Sequence, residues 1–468
     1  MNTLFAIALI GWVPLGIMLF VVLPARRAVA ACFVLGWLFL PPNAKYSLPG
    51  LPEYDKYAAI SFAAVMGAVI FDSGRLIRFR PGWFDLPAVV FLVAPFFSSM
   101  SNGLGVNDGL SGVFRQTQTL VIPYFMARVY FADLSGVREL ALWIFAGGLL
   151  YAPLCLIEMR ISPQLNRMLY GYHQHAFGQT IRSGGYRPMV FMQHGLMVGL
   201  WMCSATVVGA TLWITGSVRR FFMLPMGLPV AGLAVVSIAC RSFGAAALMV
   251  AGLGVALVAR TTRLTFPLLV LAAASLGYMA LRGSGLWDGN EFVRLAESVA
   301  GGDRAGSLQV RVQNETVLVR KALQQPLFGW GGWNRNRVDM DDAGFRIFTD
   351  GLWVIILGQR GLVGLVSWAA MLTLPIALFV WRWRRGLAIN PYIAPAFALA
   401  IITAMFVADC MFNAMLNPVF GLTAGALAGL IPTPDVVRAV TANAPARRAP
   451  PMRSAPPPIT PPTIPSAR

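Results

Sequence analysis

Long apolar runs separated by short polar connections make up most of this sequence. Thirteen runs are visible, at residues 3–23, 28–40, 57–71, 84–99, 113–131, 139–157, 188–213, 222–239, 243–259, 264–281, 352–381, 391–416 and 418–431. Several reach the roughly 20 residues that an α-helix needs to cross a bilayer. In lipid, backbone groups must be satisfied within a helix or a closed barrel, and barrel strands are short alternating segments. The pattern therefore predicts an all-α, polytopic transmembrane helix bundle of about 12–13 spans.

Two segments differ from the apolar runs in composition. Residues 282–350 form one long polar insertion, and residues 432–468 are rich in Pro, Ala and Arg without apolar periodicity. We predict four parts on this basis. They are a transmembrane bundle at 1–281 with an outward loop at 158–187, a large outward loop at 282–350, the last spans at 351–431, and a disordered basic tail at 432–468.

Basic residues fall in every second connection between the runs, and this alternation predicts the topology. By the positive-inside rule those connections face the cytoplasm. They contain Arg26, Arg27, Arg75, Arg78, Arg80, Arg138, Arg219, Arg220, Arg260, Arg263, Arg382, Arg384 and Arg385. The N-terminus is then outside and the tail inside. The outward connections are 41–56, 100–112, 158–187, 240–242, 282–350 and a turn near Asn417.

Composition narrows the possible partners. The chain is 57% hydrophobic and 12% charged, which places it far from the average soluble protein. Its net charge of +18 could indicate a nucleic acid partner. The basic residues lie in short connections and the tail, however, so we expect contact with membrane lipid headgroups and no nucleic acid.

The sequence does not predict a metal site. The five cysteines lie in or beside apolar runs without metal-binding spacing, so we expect small buried residues. Asp339, Asp341 and Asp342 lack the glycine and the distal glutamate of a calcium loop. His173 and His175 have no third ligand at metal spacing and are expected to be solvated. We predict no metal and no other cofactor.

Outward arginines beside apolar runs are the first candidates for chemistry. Arg182 and Arg187 precede a run in which His194 is predicted about two helical turns from the start. Arg241 separates two runs almost without a loop, and Arg311 lies in the polar insertion. Arginine is costly there unless it snorkels or is paired, and its planar guanidinium suits two-pronged contacts with phosphate. The pattern indicates either an anion site or interfacial anchoring of these side chains.

Asp350 is the carboxylate best placed for catalysis. It falls at the start of an apolar run, near the membrane surface, where a general base could reach an acceptor hydroxyl. An aspartate at such a place is also an ordinary helix N-cap. The aromatic side chains nearby could stack on sugar rings or belong to an interfacial belt. They are Tyr186, Trp330, Trp333 and Trp353.

Five motifs between roughly residues 180 and 370 occur in a fixed order. They are Arg187-Pro-Met-Val-Phe-Met-Gln-His194, Arg241-Ser242, Ser307-x-x-x-Arg311, Pro326-Leu-Phe-Gly329-Trp330-Gly331 and Asp350-x-x-Trp-x-x-x-Leu-x-x-x-Gly361-Leu-x-Gly364. In this order and membrane setting, the chain resembles the bacterial O-antigen ligase and polymerase superfamily. The Pro-Leu-Phe-Gly-Trp-Gly element followed by the Gly-Leu-x-Gly helix is the more specific part of the resemblance.

The resemblance implies a multi-pass enzyme of the bacterial inner membrane, similar to the multi-spanning glycosyltransferases, with its active site facing the periplasm. The substrate would be a polyprenyl-diphosphate-linked oligosaccharide, whose diphosphate Arg187, Arg241 and Arg311 would hold. The candidate catalytic residues are then Asp350, Arg187 and Arg241. The candidate substrate-binding residues are Arg311, Arg182, His194, Trp330 and Trp333.

Alternatives to a polymerase of repeat units stay open. The ligase branch carries a histidine, usually followed by Asn, where this chain has Asp350-Gly351, so a ligase that transfers glycan to a lipid acceptor fits less well. A transporter or flippase would need ionisable groups or broken helices near the midplane. Asp409 and Asn413 point that way, although a hydrogen bond between helices explains them too. A scaffold that binds other polysaccharide assembly or export proteins would tolerate loss of the arginines.

Overall fold

The structure is a computed structural model of the chain. It describes residues 2–46, 53–182, 184–300, 302–332, 334–340, 347–348, 350–383 and 389–431, and for residues 292, 295, 296, 299, 300, 302–305 and 307 the backbone alone. Met1–Pro432 form one compact unit, so the insertion at 282–350 packs with the bundle. The predicted tail at 432–468 lies outside the described residues.

Helices make up nearly all of the regular structure in the described ranges. They are α1 (Thr3–Val22), α2 (Ala25–Phe39), α3 (Lys56–Ile77), α4 (Leu86–Ser101), α5 (Val106–Gln116), α6 (Ile122–Tyr130), α7 (Leu134–Ile161), α8 (Leu165–Tyr170), α9 (Gly195–Ile214), α10 (Gly227–Ala239), α11 (Phe243–Thr262), α12 (Phe266–Gly283), α13 (Asn290–Ala300), α14 (Gly302–Ala322), α15 (Leu352–Arg382), α16 (Ala394–Asp409) and α17 (Pro418–Gly429). A π-helical segment, Thr117–Val121, joins α5 to α6, and 3₁₀ turns cover Trp83–Asp85 and Phe177–Thr180.

Six two-residue strands form three small antiparallel hairpins in the connections. β1 (Lys45–Tyr46) pairs with β2 (Tyr54–Asp55), β3 (Ile181–Arg182) with β4 (Gly185–Tyr186), and β5 (Arg220–Phe221) with β6 (Leu224–Pro225). The second hairpin carries Arg182 into the region of the candidate site.

The predicted all-α, polytopic bundle is confirmed. Each of the 13 apolar runs contains a helix, and eight described helices are long and apolar enough to cross a membrane by length and composition. Three further apolar helices, α10, α16 and α17, have 10–17 residues. The five cysteines are all buried, as predicted from their apolar surroundings.

The core of the bundle lies around α9, α16 and α17. Every residue of α16 and α17 is buried, and so are nearly all residues of α9. A helix that is apolar on all sides belongs inside a protein or a membrane rather than at a polar surface. α1, by contrast, exposes one apolar side (Ile7, Ile10 and Met18 among others), as expected of a helix at the lipid-facing edge.

Connections of the predicted cytoplasmic set contact one another. Arg26 forms an ion pair with Asp133, and Arg27 Nε lies 2.9 Å from Glu139 Oε1. These contacts join the connection before α2 to the start of α7.

Connections of the predicted outward set also meet, at a different end. Asn43 Nδ2 donates to the Gln174 carbonyl oxygen at 2.8 Å, and an Arg335 amino group lies 3.5 Å from Asp108 Oδ1. The Tyr57 hydroxyl donates to the Leu416 carbonyl oxygen at 3.1 Å. These contacts agree with the predicted alternation for the connections that they join. Which end faces the periplasm belongs to the proposed function.

The polar insertion contains two helices, α13 and α14, rather than only irregular loop. Glu315 of α14 anchors them to the bundle, because it accepts hydrogen bonds from the Tyr278 hydroxyl at 2.6 Å and from Trp353 Nε1 at 2.8 Å. Arg282 Nε lies 3.3 Å from the same carboxylate. One buried acid thus joins α12, α14 and α15.

The Pro-Leu-Phe-Gly-Trp-Gly element packs against a break in α15. Gly361 has φ 61° inside that helix, and the broken backbone groups are taken up by the element. Trp330 N donates to the Gly358 carbonyl oxygen at 2.8 Å, and Leu362 N donates to the Pro326 carbonyl oxygen at 2.8 Å. The two motifs of the resemblance are therefore one structural unit that sets the direction of the first half of α15.

Candidate functional site

Three of the predicted arginines contact one another at the end of the bundle where the connections predicted to be outward meet. Arg187 Nη2 donates to the Arg241 carbonyl oxygen at 3.0 Å, and Arg241 Nη1 donates to the Arg182 carbonyl oxygen at 2.9 Å. Arg187 is 8% exposed, and its Nε has no hydrogen-bond partner. In the part of the chain that the structure describes, Arg187 forms no ion pair. A buried charge without a counter-ion is costly, so Arg187 is a candidate for binding an anion.

The backbone conformation explains how Arg241 reaches this place. The residue follows Cys240, the C-cap of α10, with φ 53° in the left-handed region, and α11 begins two residues later. A tight reversal of this kind turns the side chain back toward the β3–β4 hairpin. A Cβ atom added at Gly185 would lie 2.4 Å from Arg241 Nη2, so a side chain there would displace the guanidinium from this position.

A buried carboxylate holds the segment that carries Arg187 and His194. Glu158 of α7 is fully buried and accepts hydrogen bonds from the backbone N–H groups of Met189 and Val190, both at 2.8 Å, and of Leu165 at 3.0 Å. Three N–H donors satisfy the charge that burial would otherwise make costly. Glu158 therefore has a positioning role here.

Two further side chains hold the same segment. Buried Lys56 donates to the Phe191 carbonyl oxygen at 2.9 Å, and Gln174 Nε2 donates to the Val190 carbonyl oxygen at 3.0 Å. These bonds keep residues 188–194 out of α9, although the sequence pattern placed them in one apolar run with that helix.

His194 differs from its predicted place. It is the N-cap of α9, where its Nδ1 accepts from Leu196 N at 3.1 Å, rather than a residue two turns into that helix. The prediction was wrong because apolar character could not show that residues 188–194 are buried as irregular chain. The cap brings His194 Nε2 within 3.0 Å of Gln179 Oε1.

The cationic groups act on each other electrostatically. Burial, and then the neighbouring Arg182 and Arg311, lower the pKa of Arg187 to about 10. Burial lowers the pKa of His194 to about 4, with His175 and the arginines at 187, 182 and 311 adding to the effect. Arg311 is therefore close enough to belong to the same positive region as Arg187. At pH 7 His194 is therefore neutral and Arg187 is charged.

Asp350 pairs with Arg311. Arg311 Nε lies 3.5 Å from Asp350 Oδ2, and the two side chains are 29% and 42% exposed. The N-cap of α15 is Gly351, with no side-chain hydrogen bond, so Asp350 does not have the capping role that was its plainer interpretation. A small cavity beside the pair is lined by Glu315, Phe348 and Phe412. Asp350 is thus a carboxylate open to a ligand at the edge of the arginine cluster.

The structure gives Trp330 and Trp353 partners outside this cluster. Trp353 is fully buried with its Nε1 bonded to Glu315, so its ring does not face a ligand. Trp330 donates to the Lys321 carbonyl oxygen at 2.8 Å, and the Lys321 ammonium lies 3.8 Å from the Trp330 ring centre. The ring of Trp330 is covered by that lysine, which argues for a structural role. Trp333 lies outside the described residues.

Asp409 and Asn413 bond to each other within one segment. Asn413 Nδ2 donates to Asp409 Oδ1 at 2.7 Å, and α16 ends at Asp409, so the predicted bond between helices is wrong. Within the described residues, three or more His, Cys, Asp or Glu side chains do not gather as a metal site would require. The metal-free mechanism stays a prediction.

Sequence reasoning missed the residues that support the cluster. Glu158 and Glu315 position the Arg187 segment and α14, and Lys56 does the same from α3. A signal existed for Glu158 and Lys56, since an ionisable residue in or beside an apolar run is expensive unless it is paired. The sequence did not indicate which backbone groups Glu158 and Lys56 would form hydrogen bonds with.

No family model matches this chain, and no curated protein sequence matches it significantly.

Proposed function

We propose that this protein is a glycosyltransferase that polymerises polyprenyl-diphosphate-linked oligosaccharide repeat units at the outer face of the bacterial inner membrane. The observation that carries the proposal is the arginine cluster, formed by Arg182, Arg187, Arg241 and Arg311. Its members come from three outward connections, and Arg187 is buried without a counter-ion in the described structure. A diphosphate at the membrane surface supplies the charge that such a cluster lacks.

The chemistry needs little beyond these groups. An acceptor sugar hydroxyl attacks the anomeric carbon of the donor, the bond from that carbon to the diphosphate oxygen breaks, and the hydroxyl proton leaves to a base. A polyprenyl diphosphate is already a good leaving group, so charge stabilisation by the arginine cluster is the larger contribution. Asp350, open to solvent and 3.5 Å from Arg311, takes the role of base or of orienting group for the hydroxyl.

A ligase is the second candidate, because the same cluster would bind the same donor. The presence of Asp350 where the ligase branch has histidine favours the polymerase. The glycans that a deletion strain makes distinguish a polymerase from a ligase. A strain lacking the protein retains single repeat units if it is a polymerase, and accumulates full-length lipid-linked chains if it is a ligase.

The test of the proposal is Arg187→Ala, assayed for transfer by the purified protein in lipid nanodiscs with a polyprenyl-diphosphate oligosaccharide. Removing a buried charged partner of the diphosphate should lower turnover by about 10²-fold or more. Arg187→Lys should restore only part of the loss, because lysine lacks the two-pronged guanidinium.

The matched control is Arg260→Ala at the other end of α11, exposed and in a predicted cytoplasmic connection. It should transfer normally at equal expression. Normal turnover by Arg187→Ala would remove the arginine cluster from the reaction, and a scaffold or transporter would then be the better interpretation.

A further inference from the structure

A second cavity adjoins the start of α15, and different residues of that helix line it and the small cavity beside Asp350. Its volume is about 440 Å³, within the range of small-molecule sites. Its walls include α4, α5, the π-helical segment and the first half of α15, with Gly331, Gly332 and Asn334 at one side. The polar lining includes Ser98, Ser99, Ser111, Gln116, Gln118 and Gln359. These closely spaced hydroxyl and amide groups can form hydrogen bonds with the hydroxyl groups of a saccharide.

One cation in this cavity has no acidic partner. Arg360 of α15 lines it and lies with its guanidinium carbon 5.3 Å from the centre of the Phe91 ring. Within the described residues the side chain of Arg360 forms no ion pair and no hydrogen bond, and its contact is with Phe91. An arginine in an apolar helix is costly without a counter-ion, and the cation–π contact with Phe91 offsets only part of that cost.

The acids that line the cavity already have partners. Glu53 pairs with Lys45 and lies 3.7 Å from Arg115 Nη1, and Asp108 lies 3.5 Å from Arg335. Asp55 is the N-cap of α3 and accepts from Tyr57 N and Ala58 N. None of these three carboxylates is thus left over for Arg360.

Gln118 adds a second, independent observation. It lies in the π-helical segment, it is 3% exposed, and its Nε2 has no hydrogen-bond partner although it lines the cavity. A buried amide donor without a partner is costly, and single-turn π segments often occur at functional sites. Together with Arg360 it gives the cavity one charged and one neutral group that await a ligand.

The cavity also adjoins Asp350. Asp350 and Gly351 line the small cavity beside Arg311, while Leu352 lines the large one. Two residues of extended chain span at most about 7 Å, so the wall of the large cavity at Leu352 comes close to the backbone of the candidate base.

We infer that this cavity binds the acceptor saccharide, and that the saccharide carries a carboxylate that pairs with Arg360. The acceptor role rests on the proposed function; the binding of an acidic saccharide does not. The group that Arg360 binds is an anion. A lipid phosphate or free phosphate could supply that anion instead of the saccharide carboxylate, and the test below distinguishes these sources.

The experiment measures binding of uronate-containing disaccharides to the full chain in phosphatidylcholine nanodiscs, by calorimetry and without any donor. The probes are glucuronate and galacturonate disaccharides and their carboxyl-reduced counterparts. The wild-type protein should bind at least one acidic disaccharide about 10-fold to 100-fold more tightly than its reduced form, as a charge-assisted hydrogen bond allows. Arg360→Gln should abolish that preference, Arg360→Lys should keep part of it, and Gln118→Leu should weaken both forms alike.

Two controls separate this inference from the proposed function. Arg260→Gln removes a positive charge by the same substitution elsewhere and should bind like wild type. Arg187→Ala should lose transfer but retain acidic-disaccharide binding. If wild type and Arg187→Ala both fail to transfer while Arg360-dependent binding persists, the proposed function fails and the saccharide site stands.

Three results would overturn the inference. They are equal binding of acidic and reduced disaccharides by wild type, an unchanged preference in Arg360→Gln, and full displacement of the disaccharide by inorganic phosphate or by phosphatidylglycerol in the nanodisc. The last would make the cavity a phosphate site. If Arg360→Gln does not fold, as melting would show, Arg360→Lys and Gln118→Leu decide the matter.

Discussion

At the residue scale, the contact between Asp350 and Arg311 joins the candidate base to the arginine cluster. Because Gly351 caps α15, replacing Asp350 does not remove a helix cap. A substitution of Asp350 therefore has two possible effects, the loss of a catalytic base and the loss of the ion pair with Arg311. Kinetic measurements distinguish these effects. Loss of a base lowers kcat, whereas a displaced Arg311 weakens donor binding and raises KM.

We predict that Asp350→Asn lowers kcat by about 10²–10⁴-fold, the usual contribution of general base catalysis, with KM for the donor changed much less. Asp350→Glu should recover part of the rate. Asp288→Asn, which alters another carboxylate of the insertion, is the control and should leave both constants as they are. A change confined to KM would assign Asp350 to positioning Arg311 alone.

His194 gives a prediction about pH. Its pKa is lowered to about 4 in the folded protein, while an unperturbed histidine has a pKa of about 6.5. The unfolded chain therefore binds more protons between these values, and the stability contribution is full above about pH 6.5 and is lost as the pH falls toward 4.

The measurement is the melting temperature of wild type and of His194→Asn across pH 4–7. Asparagine can still cap α9, so the variant should fold but lose less stability than wild type as the pH falls. Parallel curves for wild type and His194→Asn would show that this histidine is not responsible.

At the element scale, the break in α15 is where the Pro-Leu-Phe-Gly-Trp-Gly element and the Gly-Leu-x-Gly helix contact each other. Gly361 has φ 61°, and an added Cβ atom would lie 2.3 Å from the Leu327 carbonyl oxygen. Glycine is required there both by its backbone conformation and by the close approach of the 326–331 turn.

We predict that Gly361→Ala destabilises the protein by about 2 kcal/mol or more, from backbone strain and the clash together. Gly277→Ala is the matched control, since it lies in α12 with nothing within 4 Å of the added methyl group. It should be neutral or slightly stabilising, because alanine is the better helix former. Thermal unfolding in detergent measures both, and equal melting temperatures would contradict the role given to the break.

The helices of the insertion show how an element can decide a site. Arg311 and Glu315 are four residues apart on α14 and therefore lie on one face. Glu315 fixes that face to Tyr278 and Trp353, and Arg311 is thereby held beside Asp350. The local order of α14 was invisible in the polar composition of the segment.

At the scale of the whole molecule, the alternation of basic connections makes a prediction about sidedness. Gly178→Cys, in the 158–187 connection, should react with an impermeant thiol reagent in intact cells. Thr262→Cys, at the other end of the bundle, should react only after permeabilisation. Both positions are exposed, and the five native cysteines are buried and give little background. Equal labelling of the two in intact cells would contradict the topology.

Much of the architecture follows from the sequence by itself. Apolar runs of membrane-spanning length determine the helices, because no other structure satisfies their backbone in lipid. The spacing of arginines predicts which connections share an end, and contacts such as Asn43 with Gln174 agree with it. The candidate arginines were also visible, since a charged residue beside an apolar run is expensive enough to need a reason.

The tertiary structure alone decided where irregular chain replaces helix and which groups meet. Residues 188–194 are as apolar as a helix, but Glu158, Lys56 and Gln174 bind their backbone groups and start α9 at Gly195. Partners far apart in sequence determine such a choice, and periodicity within one run carries no record of them. The same reason hid the role of Trp353, the pairing of Asp350 with Arg311, and the cavity around Arg360.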